Sequence, residues 1–380
     1  MNPEIVITSP EEDGLRAELE KRTGADASRM KRFLKMPDLS VKDGSPIREL
    51  VRRIVEISDF RTFGVVRVPE IVPTKESFDL FNFPADHPSR SRSDTYYVND
   101  DYILRTHTTI MWYYYFGLEA VKKKVSNGEP IGVLSYGKVY RKDEIDRKHM
   151  NVFHQMDGLY LCRREEKEIG IADLQDVLVK IAQAIYGQGI NYRFNKDTFP
   201  YTDPSLEMEI EIGGRWVEVL GSGIVQPKVL DNLGVNSKIY NGWAFGFGLE
   251  RLAILSMDLP DIRLLWSENE RVKRQLHLGN TYKEVSKYPP ITRDISFIVV
   301  PDFIPNNYFD LIRDIGGDLV EEVSLLDKYE NPEKFGAGKI SYTYRIVYRS
   351  NERTLLADEV ATIQEKITEE TKKQFGAEVR

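Results

Sequence analysis

Residues 139–158 read VYRKDEIDRKHMNVFHQMDG and decide the fold. An apolar run, 131–140, delivers Arg141 at its end, and 152–160 returns as a second run typical of a strand. The charged segment 142–148 joins the two, so the pattern predicts a β-hairpin. Such a hairpin could hold a guanidinium, an imidazole and an aromatic face over one small polyanion. An exposed hairpin with a solvated charged tip is the competing interpretation.

Composition limits the classes of protein to which the chain can belong. A chain of 380 residues, 41% of them hydrophobic, can bury one large core and a smaller second one. The net charge of −7 argues against broad attraction to nucleic acid, so any such contact must come from local patches. The single cysteine, Cys162, excludes an intramolecular disulfide. Apolar runs stay shorter than a membrane helix needs, and the amino terminus is acidic. We therefore expect a cytoplasmic protein with no membrane partner.

The pattern of elements divides the chain into three parts. Residues 1–43 form a polar N-terminal extension, which we expect to be loosely docked, with one weak helix over 15–39. Residues 44–280 carry strands flanked by helices without regular strand–helix alternation, which predicts a mainly antiparallel sheet in an α+β domain. Residues 281–380 contain a linker around Lys287 and then the order strand, helix, strand, strand, helix. That order predicts a compact ferredoxin-like domain.

The clearest single elements lie in the middle part. Residues 171–186 repeat apolar side chains at helical spacing. Residues 108–124 also predict a helix, with an aromatic block at 112–116. Three alternating runs, 192–195, 206–212 and 216–220, predict strands, the last two joined by a two-glycine turn.

Residue types that commonly carry chemistry are sparse. The five histidines form no zinc pattern, and neither a P-loop nor a dinucleotide fingerprint is present. The glycines of 242–248 are typical of a closely packed strand and helix start. Arg141 and Arg251 lie on separate elements, however, and Glu218 lies on a predicted strand. Two arginines and a carboxylate that could bind Mg²⁺ suit a nucleoside triphosphate.

Taken in order, these motifs resemble the class II aminoacyl-tRNA synthetases, specifically the single-chain, mitochondrial-type phenylalanyl-tRNA synthetases. The resemblance runs from about Pro46 to Arg380. Pro69 resembles the proline of the first class II motif, the hairpin at 139–158 the second, and the sequence GFGLER at 246–251 the third. The last domain resembles the anticodon-binding module of single-chain enzymes. The resemblance implies ATP-dependent ligation of phenylalanine to tRNA(Phe) through an aminoacyl-adenylate.

The resemblance also assigns roles to residues. On the ATP side, Arg141 would hold the α-phosphate, Arg251 the γ-phosphate, and both would be catalytic. His149 would reach the phosphates, Phe153 would stack on adenine, and Glu218 would bind Mg²⁺. The residues implied for the amino acid are His107, Thr109, Trp112, Gln155, Asp157, Phe199, Tyr201 and Ala244. Two of these, Phe199 and Tyr201, would pack edge-on against the substrate ring, and the small Ala244 would leave room at its far end.

Four positions depart from the mitochondrial-type pattern, which has serine at 109, glutamine at 112, glutamate at 157 and phenylalanine at 201. Asp157 keeps the charge but shortens the side chain, and Trp112 replaces an amide by a bulky ring. Tyr201 could hydrogen-bond a hydroxylated substrate ring. A pocket adapted to another aromatic or modified amino acid, or an enzyme that passes its product to an acceptor other than tRNA, therefore stays an alternative. A non-catalytic RNA-binding relative is the third.

Partners follow from the last domain. Aromatic and basic residues there could form a stacking and phosphate-binding face for single-stranded anticodon bases: Tyr342, Tyr344, Arg345, Arg349 and Arg353. An ordinary exposed strand face is the competing interpretation. Single-chain relatives act alone, which favours a monomer, although the motif of Pro69 builds dimer interfaces elsewhere in the class and leaves a homodimer open.

Overall fold

The structure is a computed structural model that describes residues 4–142, 146–336 and 338–380. The chain forms two compact units, Met1–Tyr282 and Lys283–Arg380. Most of the predicted hairpin is described, but the middle of its charged turn, 143–145, lies outside the described residues. Among the described residues, every helix is too short or too polar to cross a membrane.

An eight-stranded sheet forms the centre of the first unit, in the order β1-β2-β5-β6-β10-β9-β8-β7. The strands β1, β2 and β5 pair in parallel, and all the later pairs are antiparallel. A separate antiparallel pair is formed by β3 and β4. The strands are β1 Glu4–Val6, β2 Gly64–Arg67, β3 Ile71–Pro73, β4 Tyr102–Leu104, β5 Ile131–Tyr140, β6 Val152–Arg163, β7 Tyr192–Phe199, β8 Thr202–Ile212, β9 Arg215–Val225 and β10 Tyr240–Gly248.

The predicted hairpin is the β5–β6 pair, in register from Ile131 opposite Leu161 to Tyr140 opposite Val152. Its side chains are buried on both faces, because one face packs into the main core, with Val133 and Leu159, and the other lies under the amino-terminal helices. The two strands therefore end at a fixed position, which places Arg141 and Asn151 together at one end of the sheet.

Helices cover the sheet of the first unit. They are α1 Pro10–Lys21, α2 Ala25–Lys35, α3 Pro46–Val55, α4 Thr74–Phe78, α5 Met111–Gly117, α6 Glu119–Ser126, α7 Ile171–Tyr186, α8 Pro227–Asn232, α9 Leu249–Met257 and α10 Glu270–Lys273. The amphipathic α7 buries its apolar stripe as predicted. The single helix expected over 108–124 is instead a short 3₁₀ turn, α5 and α6. The break occurs because Leu118 adopts an extended conformation that ends α5 and begins α6.

The amino-terminal segment is not loosely docked, which corrects the prediction made from its polarity. The helices α1 and α2 bury Leu19, Met30 and Phe33 in a cluster that includes Tyr140 of β5. Arg16 of α1 adds ion pairs to Glu12 and to Glu70, each at 2.6 Å. A few apolar side chains on one face suffice to fix a short helix pair, even where the average composition is polar.

The second unit contains a four-stranded antiparallel sheet in the order β12-β13-β11-β14. Its elements are β11 Ile291–Val299, α11 Pro305–Gly316, β12 Val320–Glu330, α12 Pro332–Phe335, β13 Ile340–Tyr348, α13 Ala357–Phe375 and β14 Glu378–Val379. The predicted order of strands and helices is confirmed, with a short helix and a closing strand in addition. Side chains from β11, β13, α11 and α13 share one core.

Candidate active site

One cleft of about 670 Å³ lies at the end of the β5–β6 hairpin. Residues from β6, β9, β10 and the start of α9 line it, together with the loops before α5 and after β5. The cleft brings together most of the residues that the sequence singled out, from segments far apart in the chain: His107, Thr109, Arg141, His149, Phe153, Gln155, Asp157, Phe199, Tyr201, Glu218 and Arg251.

Arg141 is held in a defined orientation directly after β5. Its Nε–H donates to the carbonyl oxygen of Thr106 at 2.8 Å, and its backbone exchanges hydrogen bonds with Asn151 across the hairpin. The guanidinium carbon lies 5.2 Å from the centre of the Phe153 ring. A planar cation and an aromatic face therefore stand side by side in the cleft.

Arg251 and Glu218 form a second charged pair in the cleft. The carboxylate Oε1 of Glu218 lies 3.4 Å from Nη1 of Arg251, and that nitrogen also donates to the Glu218 carbonyl oxygen at 3.3 Å. Both side chains are about half exposed. His149 also lines the cleft, and its Nδ1 lies 2.9 Å from Asp146 Oδ2.

Metal ligands are few around this pair. Over residues 4–142, 146–336 and 338–380, histidine, cysteine, aspartate and glutamate side chains form no group of three or more that could hold a metal ion. A magnesium ion at Glu218 would take most of its ligands from nucleotide phosphates and water, as Mg²⁺ bound with nucleotides commonly does.

Asp157 is the buried acidic group of the cleft. The hydroxyl of Thr109 donates to its Oδ1 at 2.7 Å, and the hydroxyl of Thr108 donates to its Oδ2. Burial raises the pKa of the carboxyl to about 6, even though the two hydroxyl hydrogen bonds favour the charged form. Beside it, Gln155 Oε1 accepts the Thr108 backbone N–H at 3.3 Å.

His107 supplies a neutral imidazole to the same wall. Burial and the nearby positive charge of Arg141 lower the pKa of His107 to about 3. The ring is therefore uncharged at neutral pH, and its Nε2–H donates to the Ser77 carbonyl oxygen at 3.2 Å. Its Nδ1 is buried without a protein partner among the described residues, so it remains available as an acceptor.

An inner chamber adjoins the cleft and contains the remaining two predicted residues, Trp112 and Ala244. The Phe199 and Tyr201 rings stack on each other, with centroids 6.0 Å apart, and Trp112 meets Tyr201 edge-on at 6.3 Å. The chamber has about 10 Å³ of free space, room for one water molecule. Trp112 Nε1 is buried without a partner among the described residues.

Sequence reasoning missed His154, which lies directly behind the cleft wall, and its partner Glu250, which contributes to the lining of the cleft. His154 follows Phe153 on β6, so its side chain points to the opposite face of the sheet, where it is fully buried. Its Nδ1 lies 2.6 Å from Oε1 of Glu250 on α9. The available signal was the alternation along β6, which places an imidazole at a core position that an apolar residue usually occupies.

The sequence of the chain matches two family models. The class II core domain of tRNA synthetases (F) matches residues 33–276, and the ferredoxin-fold anticodon binding domain matches residues 286–380. The chain belongs to the class II tRNA synthetases.

Curated relatives narrow the family to the phenylalanine–tRNA ligases. The chain is 36% identical over 353 residues to the mitochondrial phenylalanine–tRNA ligase of Mus musculus, covering 83% of this chain and 74% of that protein. It is 40% identical over 321 residues to the chloroplastic/mitochondrial enzyme of Arabidopsis thaliana, with coverages of 82% and 71%. The mitochondrial enzyme of Saccharomyces cerevisiae is 30% identical over 435 residues, with coverages of 92% and 91%.

These relatives overturn one prediction. The expected cytoplasmic location is wrong, because the three relatives described above are named as mitochondrial or chloroplastic/mitochondrial proteins. That location was predicted from the single cysteine, the short apolar runs and the acidic amino terminus together.

The predicted stacking face of the anticodon-binding domain also needs correction. Alternation along β13 places Tyr342 and Tyr344 in the core of the domain, where they are 6% and 1% exposed, and Arg345 on the opposite face. The two tyrosines therefore cannot stack on nucleotide bases in this conformation. The three arginines are engaged with carboxylates: Arg345 with Asp294, Arg349 with Glu321 and Arg353 with Glu359.

Proposed function

We propose that this synthetase joins phenylalanine to tRNA(Phe) in two steps within the cleft. The carboxylate of phenylalanine attacks the α-phosphorus of ATP, the bond to the β-phosphate oxygen breaks, and pyrophosphate leaves. A terminal ribose hydroxyl of the tRNA then attacks the aminoacyl carbonyl and releases AMP. The observation that carries this proposal is the shared cleft, in which the Arg141–Phe153 pair lies close to the buried carboxylate of Asp157.

ATP would occupy the end of the cleft that is rich in arginine. Arg141 would contact the α-phosphate and stabilise the charge that develops there, while Phe153 stacks on the adenine. Arg251 would bind the γ-phosphate, and His149 would reach the phosphates. Glu218 pairs with Arg251 in this structure, so ATP with Mg²⁺ would redistribute the two: the arginine to phosphate and the carboxylate to the metal.

Phenylalanine would bind between Asp157 and the aromatic wall. The ionised Asp157 would attract the ammonium group, and Thr109, Gln155 and the neutral His107 would orient the backbone groups of the substrate. Its ring would lie against Phe199 and Tyr201 and point towards Ala244. Because the inner chamber has room for only one water, the ring requires a shift of these aromatic side chains or lies partly in the main cleft.

The second unit would bind the anticodon of the tRNA. Since the tyrosines of β13 are buried, we propose that any contact uses exposed arginines, such as Arg345 and Arg353, released from their carboxylate partners. We further propose that the enzyme acts as a monomer, as the resemblance to the single-chain synthetases implies.

Pyrophosphate exchange against a panel of amino acids, with and without tRNA, tests the proposal. Exchange that depends on phenylalanine, followed by charging of tRNA(Phe), is the expected result. Exchange only with another aromatic or a modified amino acid would reject phenylalanine as the substrate and point to the altered residues Trp112 and Asp157. Exchange with no amino acid would reject an enzymatic function.

A further inference from the structure

His154 connects the two elements that carry the proposed ATP-binding residues, β6 and α9, and lies on the face of the sheet opposite the cleft. Its neighbours on β6, Phe153 and Gln155, both line the cleft, whereas its own side chain is fully buried on the other face. The Glu250 carboxylate accepts the His154 backbone N–H, at 2.8 Å to Oε2, and receives the imidazole Nδ1–H, at 2.6 Å to Oε1. One carboxylate thus fixes both the backbone and the side chain of this residue.

Glu250 lies in the first turn of α9, immediately before Arg251. Its side chain is only 3% exposed, so the hydrogen bonds from His154 replace the water that a charged carboxylate would otherwise require. This contact therefore fixes the start of α9 against β6. Arg251 follows Glu250 in sequence and Phe153 precedes His154, so the same contact sets the spacing between the arginine and the aromatic face.

The other end of the imidazole reaches the amino-terminal segment. The backbone N–H of Leu39 donates to Nε2 at 2.9 Å, and Asp38 Oδ1 lies 3.3 Å from the same atom. Trp266 covers the ring at 5.5 Å between centroids. Asp38 is itself anchored by the Arg67 guanidinium at 2.9 Å. The residues after α2 are therefore connected through one imidazole to the residues of the cleft.

The protonation state of His154 decides which of these contacts forms. In the neutral ring, Nδ1–H donates to Glu250 and the Nε2 lone pair accepts the Leu39 amide. Burial opposes a charged ring, but Glu250 and Asp38 outweigh burial and raise the pKa of His154 to about 9, so the ring is charged at neutral pH. In that state Nε2–H donates to Asp38, and the hydrogen bond from Leu39 forms only in the neutral ring. Glu250 keeps its partner in both states, so the link to α9 does not depend on the charge.

We propose that His154 is a positioning residue that holds Arg251 and Phe153 at the spacing ATP requires and couples residues 38 and 39 to the ATP site. It touches no substrate and acts through Glu250. The proposal rests on the proposed function in that it assumes ATP binds between these two residues. Loss of the contact should therefore weaken ATP binding and leave phenylalanine binding, on the Asp157 side, unchanged.

Two substitutions of His154 test its Nδ1 contact and its Nε2 contact separately. Asparagine places its amide nitrogen near the position of Nδ1, so His154→Asn can keep the bond to Glu250. Glutamine reaches the position of Nε2, so His154→Gln keeps a polar group near Leu39 and loses the Glu250 bond. Both variants leave a polar amide in the same buried space. Asn241→Ala is the control for stability, because Asn241 is buried in the same unit, bonds three backbone groups and lies outside the cleft.

Pyrophosphate exchange is then measured with ATP and phenylalanine varied separately. We expect His154→Gln to raise KM for ATP about tenfold, the value of one hydrogen bond to a charged group, and to leave KM for phenylalanine unchanged. His154→Asn should stay close to wild type, and Asn241→Ala should lower the Tm without changing either KM. Equal effects of the two His154 variants, or parallel changes in both KM values, would overturn the proposal.

Asp38→Ala provides a test that does not disturb the strand. It should raise KM for ATP by a smaller factor, about threefold, because it removes only the amino-terminal anchor; an unchanged value would overturn the coupling to residues 38 and 39. Measurements on the wild-type protein distinguish failure of the positioning role from failure of the proposed function. If it exchanges pyrophosphate with phenylalanine while His154→Gln keeps a normal KM for ATP, the positioning role fails and the proposed function stands. If the wild type does not exchange, the proposed function fails.

Discussion

The guanidinium carbon of Arg141 lies 5.2 Å from the ring centre of Phe153, and the two residues face each other next to the turn of the β5–β6 hairpin. This contact joins the group that would bind phosphate to the ring that would stack on adenine. The hairpin register and the bond from Arg141 Nε to Thr106 hold the pair in place before any ligand arrives. Such preorganisation lowers the cost of aligning ATP for attack.

Replacing Arg141 should remove catalysis without unfolding the protein. We expect Arg141→Ala to lower kcat/KM for adenylate formation by about 10²–10³-fold, the usual loss for one transition-state donor. Arg141→Lys should recover little, because an ammonium cannot make the planar two-nitrogen contact with phosphate. Thermal unfolding should show a nearly unchanged Tm, and Arg92→Ala, at an exposed arginine outside the cleft, serves as the control. Preserved exchange in Arg141→Ala would remove this residue from its role.

Asp157 should impose an acid limit on phenylalanine use. Burial raises its pKa from 3.8 to about 6, so the carboxylate loses its charge, and its attraction for an ammonium group, as the pH falls below about 6. We expect kcat/KM for phenylalanine to fall on the acid side of this pKa. In Asp157→Asn, kcat/KM for phenylalanine should be low at every pH, and its pH profile should lack the fall on the acid side. The same acid limb in Asp157→Asn would assign it to another group.

The contribution of Asp157 to the stability of the folded protein should change with pH in the opposite direction to kcat/KM for phenylalanine. Because the folded-state pKa of Asp157 lies above its unfolded value, the folded protein binds the additional proton between about pH 4 and 6. Stability from this group is therefore present at low pH and is lost as the pH rises through 6. Comparison of the Tm of wild type and Asp157→Asn across this range measures the difference, and a difference that does not vary with pH would contradict the raised pKa.

Gly246 leaves space for the Asp157 carboxylate. A Cβ atom at this position would lie 2.9 Å from Asp157 Oδ1, so Gly246→Ala should displace the carboxylate. We expect KM for phenylalanine to rise about tenfold, with a smaller effect on KM for ATP. Gly117→Ala is the matched control, since a Cβ there has no atom within 4 Å and lies outside the cleft. Normal phenylalanine kinetics in Gly246→Ala would show that Asp157 does not hold the substrate.

The hydroxyl of Tyr201 should reduce discrimination between phenylalanine and tyrosine. A hydroxyl on the pocket wall can accept or donate a hydrogen bond to a hydroxylated substrate ring, whereas an apolar wall cannot. We expect Tyr201→Phe to raise the ratio of kcat/KM for phenylalanine to that for tyrosine, by about tenfold. Tyr114→Phe, next to the same core but outside the cleft, should not change the ratio. A constant ratio in Tyr201→Phe would exclude this role.

Removal of the second unit should separate the two steps of the reaction. The residues proposed to bind ATP and phenylalanine all lie within Met1–Tyr282. We therefore expect a chain truncated before Lys283 to retain phenylalanine-dependent exchange and to lose most of its tRNA charging. Undiminished charging by the truncated chain would show that Lys283–Arg380 does not recognise the anticodon.

The sequence predicted the elements whose patterns are local. The hairpin around Arg141, the amphipathic α7 and the order of elements in the second unit all follow from alternation or helical spacing within a few residues. The grouping of Arg141, Glu218 and Arg251 in one cleft was also predicted, through motifs that occur in the expected order.

Other features depend on contacts between distant residues, which local patterns do not contain. The amino-terminal helices pack through a few apolar residues, such as Phe33, whose ring contacts that of Tyr96, more than 60 positions away. The burial of Tyr342 follows from the helices above the sheet, since alternation alone does not say which face they cover. The contact between His154 and Glu250 spans 96 positions and required the pairing of β6 with β10, which places α9 beside His154.

The most direct test of the central claim is ATP-dependent attachment of labelled phenylalanine to tRNA(Phe) by the full chain, measured beside Arg141→Ala. The account predicts charged tRNA with the wild-type protein, release of one AMP per aminoacyl-tRNA formed, and almost no product with the variant. Failure of the wild type to charge this tRNA, or equal charging by both proteins, would contradict it.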